Sequence, residues 1–280
     1  MGIVNVTPDS FSDGGISFSP NRAIARGLEL LQQGADVLDV GGESTRPGAT
    51  LVDADEELRR VIPAIEGLLA AAPGAVISVD TVKSDVATRA LEVGALIVND
   101  VSGMRLDGAM AGVCARARCG VVLMHSRGNV TEMATYARAA YGSDIVGEVI
   151  AELAGSVERA TAAGIERASI ALDPGFGFSK TSEHSLAVLG GLERICALGF
   201  PVVVGLSRKR MIGELTGVTR AAQRDAGSAG AAVVALMRGA RLFRVHDVGM
   251  HRQALDVAWG VISDQRNDAA PFIRPTITDD

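Results

Sequence analysis

Cysteine, tryptophan and tyrosine are scarce in this chain of 280 residues: three Cys, one Trp and two Tyr. Cys114, Cys119 and Cys196 are too few and too irregularly spaced for a disulfide framework or a zinc site. They read as small buried or half-buried residues, and a reducing, cytoplasmic setting is expected. No run of Lys or Arg exceeds three residues, and 27 basic against 33 acidic side chains leave a net charge of -6. Such a chain repels a polyphosphate backbone, which argues against nucleic acid as the main partner. Long apolar runs are missing too. The longest stretches without a charge, 67–79 and 195–207, have 13 residues each and contain Pro and Gly. A spanning helix needs about 20 apolar residues, so no membrane segment is expected, and the opening Met-Gly-Ile-Val-Asn lacks the character of a signal peptide. With nine Pro, 48% hydrophobic and 21% charged residues, the composition is that of a globular chain and excludes disorder for most of it.

What is present is repetition. Short runs rich in Val, Ile and Leu recur at 3–6, 37–40, 76–79, 96–98, 121–124, 169–172, 202–206 and 242–245. Continuous apolarity over so few residues marks strands buried on both faces of a parallel sheet. Helical segments lie between them at 23–33, 55–72, 83–93, 109–117, 144–163, 183–198, 224–237 and 248–262. Eight strands alternating with eight helices, at about 35 residues per unit, satisfy the roughly 30 that a βαβ crossover needs. The expectation is one α/β domain, a single (β/α)8 barrel over 1–263, followed by a flexible tail over 264–280.

Each apolar run stops at a polar or ionisable group: Asn5, Asp39 with Glu43, Asp80, Asn99 with Asp100, His125, Asp173, Ser207, and Arg244 with His246. In a barrel these ends lie at the C-terminal mouth, where active sites are built. The competing use of such residues is local, as helix caps or partners of loop amides, and for Asp80 that use would be capping the helix at 83. Two loops punctuated by Gly and Pro, 5–15 and 39–48, flank the mouth and have the composition of lids.

These segments, taken in order, resemble the dihydropteroate synthases, the folate-pathway enzymes that join 4-aminobenzoate to a pterin. The resemblance is carried by 5–15, 39–48, 78–81, 98–103, 123–125 with Gly128 and Asn129, 172–178 with Lys180, 207–209 and 244–247. It runs from the first strand to the eighth, and the family fold is also a (β/α)8 barrel.

The resemblance implies a pterin site of Asp39, Asp80, Asn99, Met124, Asp173 and Lys209. Asp80 and Asp173 would accept from ring N–H groups, Asn99 would bond the pyrimidine edge, Lys209 would donate, and Met124 would pack on the ring. An unpaired heteroatom in such a pocket costs about 1–3 kcal/mol. It further implies a pyrophosphate site of Asn5, Arg244 and His246, with Mg2+ bound at Asn5 and on the phosphates. Arg244 and His246 are two apart and so share one side of a strand. Phe11, Thr45, Arg46, Pro47, Phe178 and Ser207 are implied around 4-aminobenzoate, its carboxylate near the helix after Lys209. Where the family often has Ser after that Lys, this chain has Arg210, which either adds a charge for the carboxylate or points to water.

Catalytic roles fall by the same resemblance to Asn5, Asp80, Lys209, Arg244 and His246, in a dissociative substitution resting on electrostatic preorganisation and loop closure. The family is generally dimeric and is the target of sulfonamides. The segment 226–237 is either interface or ordinary helix-on-barrel packing. Two other readings compete: a methyltetrahydrofolate:corrinoid methyltransferase, which has no use for the Ser44-Thr45-Arg46-Pro47 loop or a pyrophosphate site, and a non-catalytic paralogue. Since both implied substrates are anions and the chain is acidic, cationic groups are expected to gather at the mouth, at Arg46, Lys209 and Arg244.

Overall fold

The computed structural model describes residues 1–7, 20–44 and 50–265. Eight parallel strands are present: β1 (Gly2–Asn5), β2 (Leu38–Gly41), β3 (Ile77–Asp80), β4 (Ile97–Asp100), β5 (Gly120–Met124), β6 (Ile170–Asp173), β7 (Val203–Val204) and β8 (Leu242–Phe243). β1 to β6 form one sheet in sequence order, and β7 pairs with β8. Single parallel bridges, Leu172 with Val202 and Gly2 with Val245, join the two sheets on both sides. The sheet therefore closes on itself as the expected (β/α)8 barrel, with no edge left to pair elsewhere.

Strand parity decides what each side chain can do. Val4, Val40, Val79, Val98, Val121 and Ile170 stand in register across six strands and are buried in the core shared with the helices. The alternate register carries Asn5, Gly41, Asp80 and Asn99, which turn to the barrel axis because successive residues of a strand face opposite ways. Asp100 and His125 fall on the outward parity. They do not project into the mouth as the uniform strand-end pattern predicts. Asp100 accepts from the amides of Ser102 (2.7 Å) and Met104 (3.1 Å), and His125 faces the helix shell.

The helices are α1 (Pro20–Gln32), α2 (Ala54–Ala71), α3 (Ser84–Glu92), α4 (Met110–Ala117), α5 (Val130–Met133), α6 (Ile145–Ala162), α7 (Ser182–Gly190), α8 (Leu192–Cys196), α9 (Arg210–Thr216), α10 (Asp225–Met237) and α11 (Val248–Gln265). The segment read as one helix over 183–198 is two, because Gly191 interrupts it; α5 and α9 are extra helices in loops above the barrel. The strands expected at 202–206 and 242–245 shorten to two residues each. Residues 206–209 and 244–246 serve the mouth instead. α11 continues to Gln265, past the boundary expected at 263; residues 266–280 lie outside the described residues. Cys114 and Cys119 are buried and Cys196 is half-buried, all as free thiols. Among the described residues no helix is long and apolar enough to cross a membrane.

Helix starts follow local chemistry. Asp53 caps α2 by accepting from Glu56 N, Asp144 caps α6 at Gly147, and Thr181 with His184 forms a capping box on α7. α1 and α2 cross where Gly27 leaves no room for a side chain: a Cβ there would lie 2.5 Å from Leu68 Cδ2. Leu68 is fully buried at this crossing. Leu68→Ala is expected to lower stability by about 2–5 kcal/mol, measured as a lower Tm, while the mouth keeps its geometry and turnover at 25 °C stays near wild type.

Candidate active site

Asp39, Asp80, Asn99 and Arg244 meet at the top of the barrel. Arg244 Nε donates to Asp39 Oδ2 and its Nη2 to Asp80 Oδ2, both at 2.6 Å. Asn99 Nδ2 donates to the same Asp39 oxygen at 3.1 Å. Asp39 Oδ1 is buried without a partner among the described residues. Burial raises the Asp80 carboxyl above the usual carboxylate range and Asp39 adds to this, while Arg244 opposes it. The register that sets Gly41 opposite Asp80 makes room for the pair, since a Cβ on Gly41 would lie 3.3 Å from Asp80 Cβ. Asp80 does not cap α3. Lys83 is the N-cap residue and makes no side-chain cap bond, and the Ser84 amide is taken by Asp107 Oδ2 at 2.7 Å.

Above this cluster opens a cavity of about 760 Å³ whose wall includes Asn5, Asp80, Asn99, Met124, Asp173, Phe178, Lys209, Arg244 and His246. The structure thus brings most of the expected residues to one space. Asp173 Oδ1 accepts from Gly175 N at 2.7 Å, and burial raises its carboxyl against that bond and the charge of Lys209. Lys209 places its Nζ 4.0 Å from the centre of the Phe178 ring, a cation–π distance. Burial and then Arg244 push this ammonium down to about 8, although Asp173 and Asp80 favour its charge. Met124 packs in a small cluster with Val82, Val101, Met133 and Phe178.

Two placements differ from expectation, Asp39 and Arg244. Asp39 does not line the cavity but lies beneath it, fully buried, as the partner of Asn99 and Arg244. Ser207 is on the cavity wall with Phe178; it also accepts from His246 N at 3.1 Å and meets His246 Nδ1 at 3.0 Å. Its hydroxyl orients the histidine. Two nitrogens of Arg244, expected on the leaving group, are taken up by carboxylates. Arg210 is exposed at the rim, its guanidinium carbon 4.8 Å from the Tyr136 ring centre, and the helix it begins has only seven residues. Phe11, Thr45, Arg46 and Pro47 lie outside the described residues.

One ion cluster escaped the sequence reading. Lys83 Nζ bridges Glu57 Oε2 (2.5 Å) and Glu43 Oε2 (3.0 Å), while Glu43 Oε1 accepts from Val52 N at 2.7 Å. Lys180, one of the residues that carry the family resemblance, is on the cavity wall and 1% exposed. Its burial was not legible, because a Lys in a loop reads as a solvated side chain. Among the described residues, no group of three or more His, Cys, Asp and Glu could hold a metal ion.

A parallel barrel with opposed acids and cations around a cavity at its C-terminal mouth defines a barrel protein with a polar binding site. Residues 1–246 match the family described as pterin binding enzyme. The dihydropteroate synthase of Mycobacterium leprae (strain TN) is 44% identical over 266 residues, 92% of each chain. Among solved structures, dihydropteroate synthase from Xanthomonas albilineans with 4-aminobenzoic acid is 48% identical, with a TM-score of 0.86 over 94% of this chain and 92% of that one. The same organism's enzyme in complex with 7,8-dihydropteroate is 45% identical, with a TM-score of 0.83 and the same shares covered. The chain belongs to the pterin-binding enzymes and, within them, to the dihydropteroate synthases.

The Asp39 side chain has no exposure, against 22% for Arg244, and among the described residues Arg244 is the cation it pairs with. Arg244→Gln is expected to cost about 3–5 kcal/mol by leaving a buried carboxylate without its counterion, read as a large fall in Tm. Arg244→Gln combined with Asp39→Asn is expected to recover part of that loss.

Proposed function

We propose that the chain condenses 6-hydroxymethyl-7,8-dihydropterin pyrophosphate with 4-aminobenzoate, giving 7,8-dihydropteroate and pyrophosphate. The observation that carries this reading is the convergence of Asp80, Asn99, Asp173 and Lys209 on one cavity. These groups offer acceptors and donors of the kinds that a pterin edge requires. Solved relatives holding 4-aminobenzoic acid and 7,8-dihydropteroate support it.

In this reading Asp80 and Asp173 accept from ring N–H groups, Asn99 bonds the pyrimidine edge, Lys209 donates, and Met124 lies against the ring. Asp39 acts from below, holding Asn99 and Arg244. Asn5 and His246, the latter steered by Ser207, bind the pyrophosphate together with Arg244. The carbon–oxygen bond to the pyrophosphate breaks with its electron pair leaving on oxygen. The arylamine nitrogen then attacks the methylene carbon, and its proton passes to solvent. Charge on the leaving oxygens is met by preorganised cations and donors rather than by a proton shuttle. Asn5, which presents a neutral amide at the wall, fits a Mg2+ held otherwise by the substrate's phosphates and water, since such an ion needs only one protein oxygen. When bound, the ion would supply Lewis-acid stabilisation of the leaving group.

The arylamine would lie beside Phe178; Phe11, Thr45, Arg46 and Pro47, which the family resemblance assigns to the same substrate, lie outside the described residues. Arg210, across from Tyr136, faces the same rim and suits an incoming carboxylate. A homodimer would use the outer faces of α10 and α11, where Met237 and Val257 are 67% and 72% exposed.

Pyrophosphate release by the wild type is expected only when both substrates are present, measured with a coupled phosphate assay; release with the pterin substrate alone, or none with both, would overturn the assignment. Asp80→Ala is expected to abolish pterin binding by calorimetry. Arg46→Ala should raise the KM for 4-aminobenzoate about tenfold, the loss of one charged hydrogen bond, with little change in the pterin KM.

A further inference from the structure

Lys180 is the one fully buried lysine of the three in the chain. We propose that it is a positioning residue of the pterin pocket, its ammonium clamping the loop between β6 and α7 so that Asp173 and Phe178 keep their places. The proposal rests on the reading above, in which Asp173 and Lys209 hold the pterin.

The loop has little to hold itself. Gly175, Gly177 and Ser179 are all left-handed, with φ of 68°, 71° and 50°, and a non-glycine residue there carries strain. A Cβ on Gly175 would lie 1.9 Å from the carbonyl oxygen of His125, so the loop lies directly on the end of β5. Lys180 Nζ reaches back under it and meets His125 Nδ1 at 2.7 Å, Gly175 O at 3.1 Å and Phe178 O at 3.2 Å. Three N–H donors meet three acceptors. Because His125 Nδ1 accepts, the ring proton sits on Nε2 and donates to Glu152 Oε2 at 3.1 Å. The clamp is thereby braced on β5 and α6.

Two of the proposed pterin groups, Asp173 and Lys209, hang from this clamp. Gly175 donates its N–H to Asp173 and accepts from Lys180 through its carbonyl, one residue linking the two side chains. Phe178 accepts from Lys180 through its carbonyl and carries Lys209 on its ring. Ser179 secures the outer side, its hydroxyl bonded to Arg127 O at 2.8 Å.

The groups around the ammonium pull both ways. Asp173 on β6 and Glu152 on α6 favour its charge, whereas Arg127 after β5 and Lys209 after β7 oppose it. Burial is the largest influence and pushes Lys180 down to about 7. His125 is pushed down to about 4, again mainly by burial, and is neutral. The Tyr141 phenol near it is raised and keeps its proton. A neutral amine has two N–H donors for three acceptors, so the clamp is complete below about 7 and loses a bond above it.

Steady-state kinetics of Lys180→Met, with both substrates varied from pH 6 to 9, test this. The expected result is a pterin KM raised about tenfold, a smaller rise in the 4-aminobenzoate KM through the loosened Phe178, and an alkaline loss of pterin affinity moved up to the Lys209 range near 8. An unchanged pterin KM overturns the proposal, as does an equal rise in both KM values with the alkaline limb unmoved, which is the signature of a merely structural lysine. If Lys180→Met does not fold, Glu152→Gln at the half-exposed end of the chain serves instead. Removing a charge that favours the ammonium should move the alkaline limb to lower pH, and an unmoved limb overturns the proposal. Asp173→Asn is measured alongside. An unchanged pterin KM in that variant would overturn the pocket reading itself, whereas a raised one beside a wild-type Lys180→Met overturns the role of Lys180 alone.

Discussion

Arg244 between Asp39 and Asp80 is the contact on which the mouth depends. It joins β8 to β2 and β3 through two charged hydrogen bonds, at the seam where the backbone ladder is thinnest. β7 and β8 contribute two residues each, and one bridge joins β8 to β1. Side-chain ion pairing therefore supplies alignment where strand pairing is short. The cost is burial of charge, tolerable only because each partner meets the other at close range. The same contact sets the site's electrostatics, since the carboxylates hold the guanidinium in place and the guanidinium keeps Asp80 from being left as an isolated buried acid.

Around that contact the barrel divides by parity. Inward residues at the ends of β1 and β3 to β6 serve the cavity, and outward ones serve the helix shell or brace the loops. His125 shows the division: one residue beyond Met124, it faces away from the cavity and becomes part of the scaffold behind Lys180. The acidic net charge is also resolved locally. Arg208, Lys209, Arg210, Arg224 and Arg244 all line the cavity, so a chain of net charge -6 offers a cationic mouth to small anions.

Much of this was legible in sequence. Runs of three to five residues rich in Val, Ile and Leu mark strands buried on both faces, and eightfold alternation with helices fits a closed barrel. Asp80, Asn99, Asp173 and His246 stood out because each ends such a run, and Lys209 through the family resemblance. Other features were not legible. That Asp39 lies under the pocket rather than in it, and that Ser207 serves His246, depends on pairings between residues far apart in the chain. Gly191 divides one expected helix where a Cβ would lie 2.7 Å from Val146 Cγ2 of α6, and β7 and β8 shorten where the residues after them turn to the cavity; both depend on contacts between distant parts of the chain.

The sequence by itself determined the eightfold alternation, the order of the strands and the family, because periodicity and motif order are properties of neighbouring residues. Only the tertiary structure decided which charges meet. Arg244 with its two carboxylates, and Lys180 buried against His125 and two carbonyls, exist because closing the barrel removes water from these groups and leaves each other as their partners.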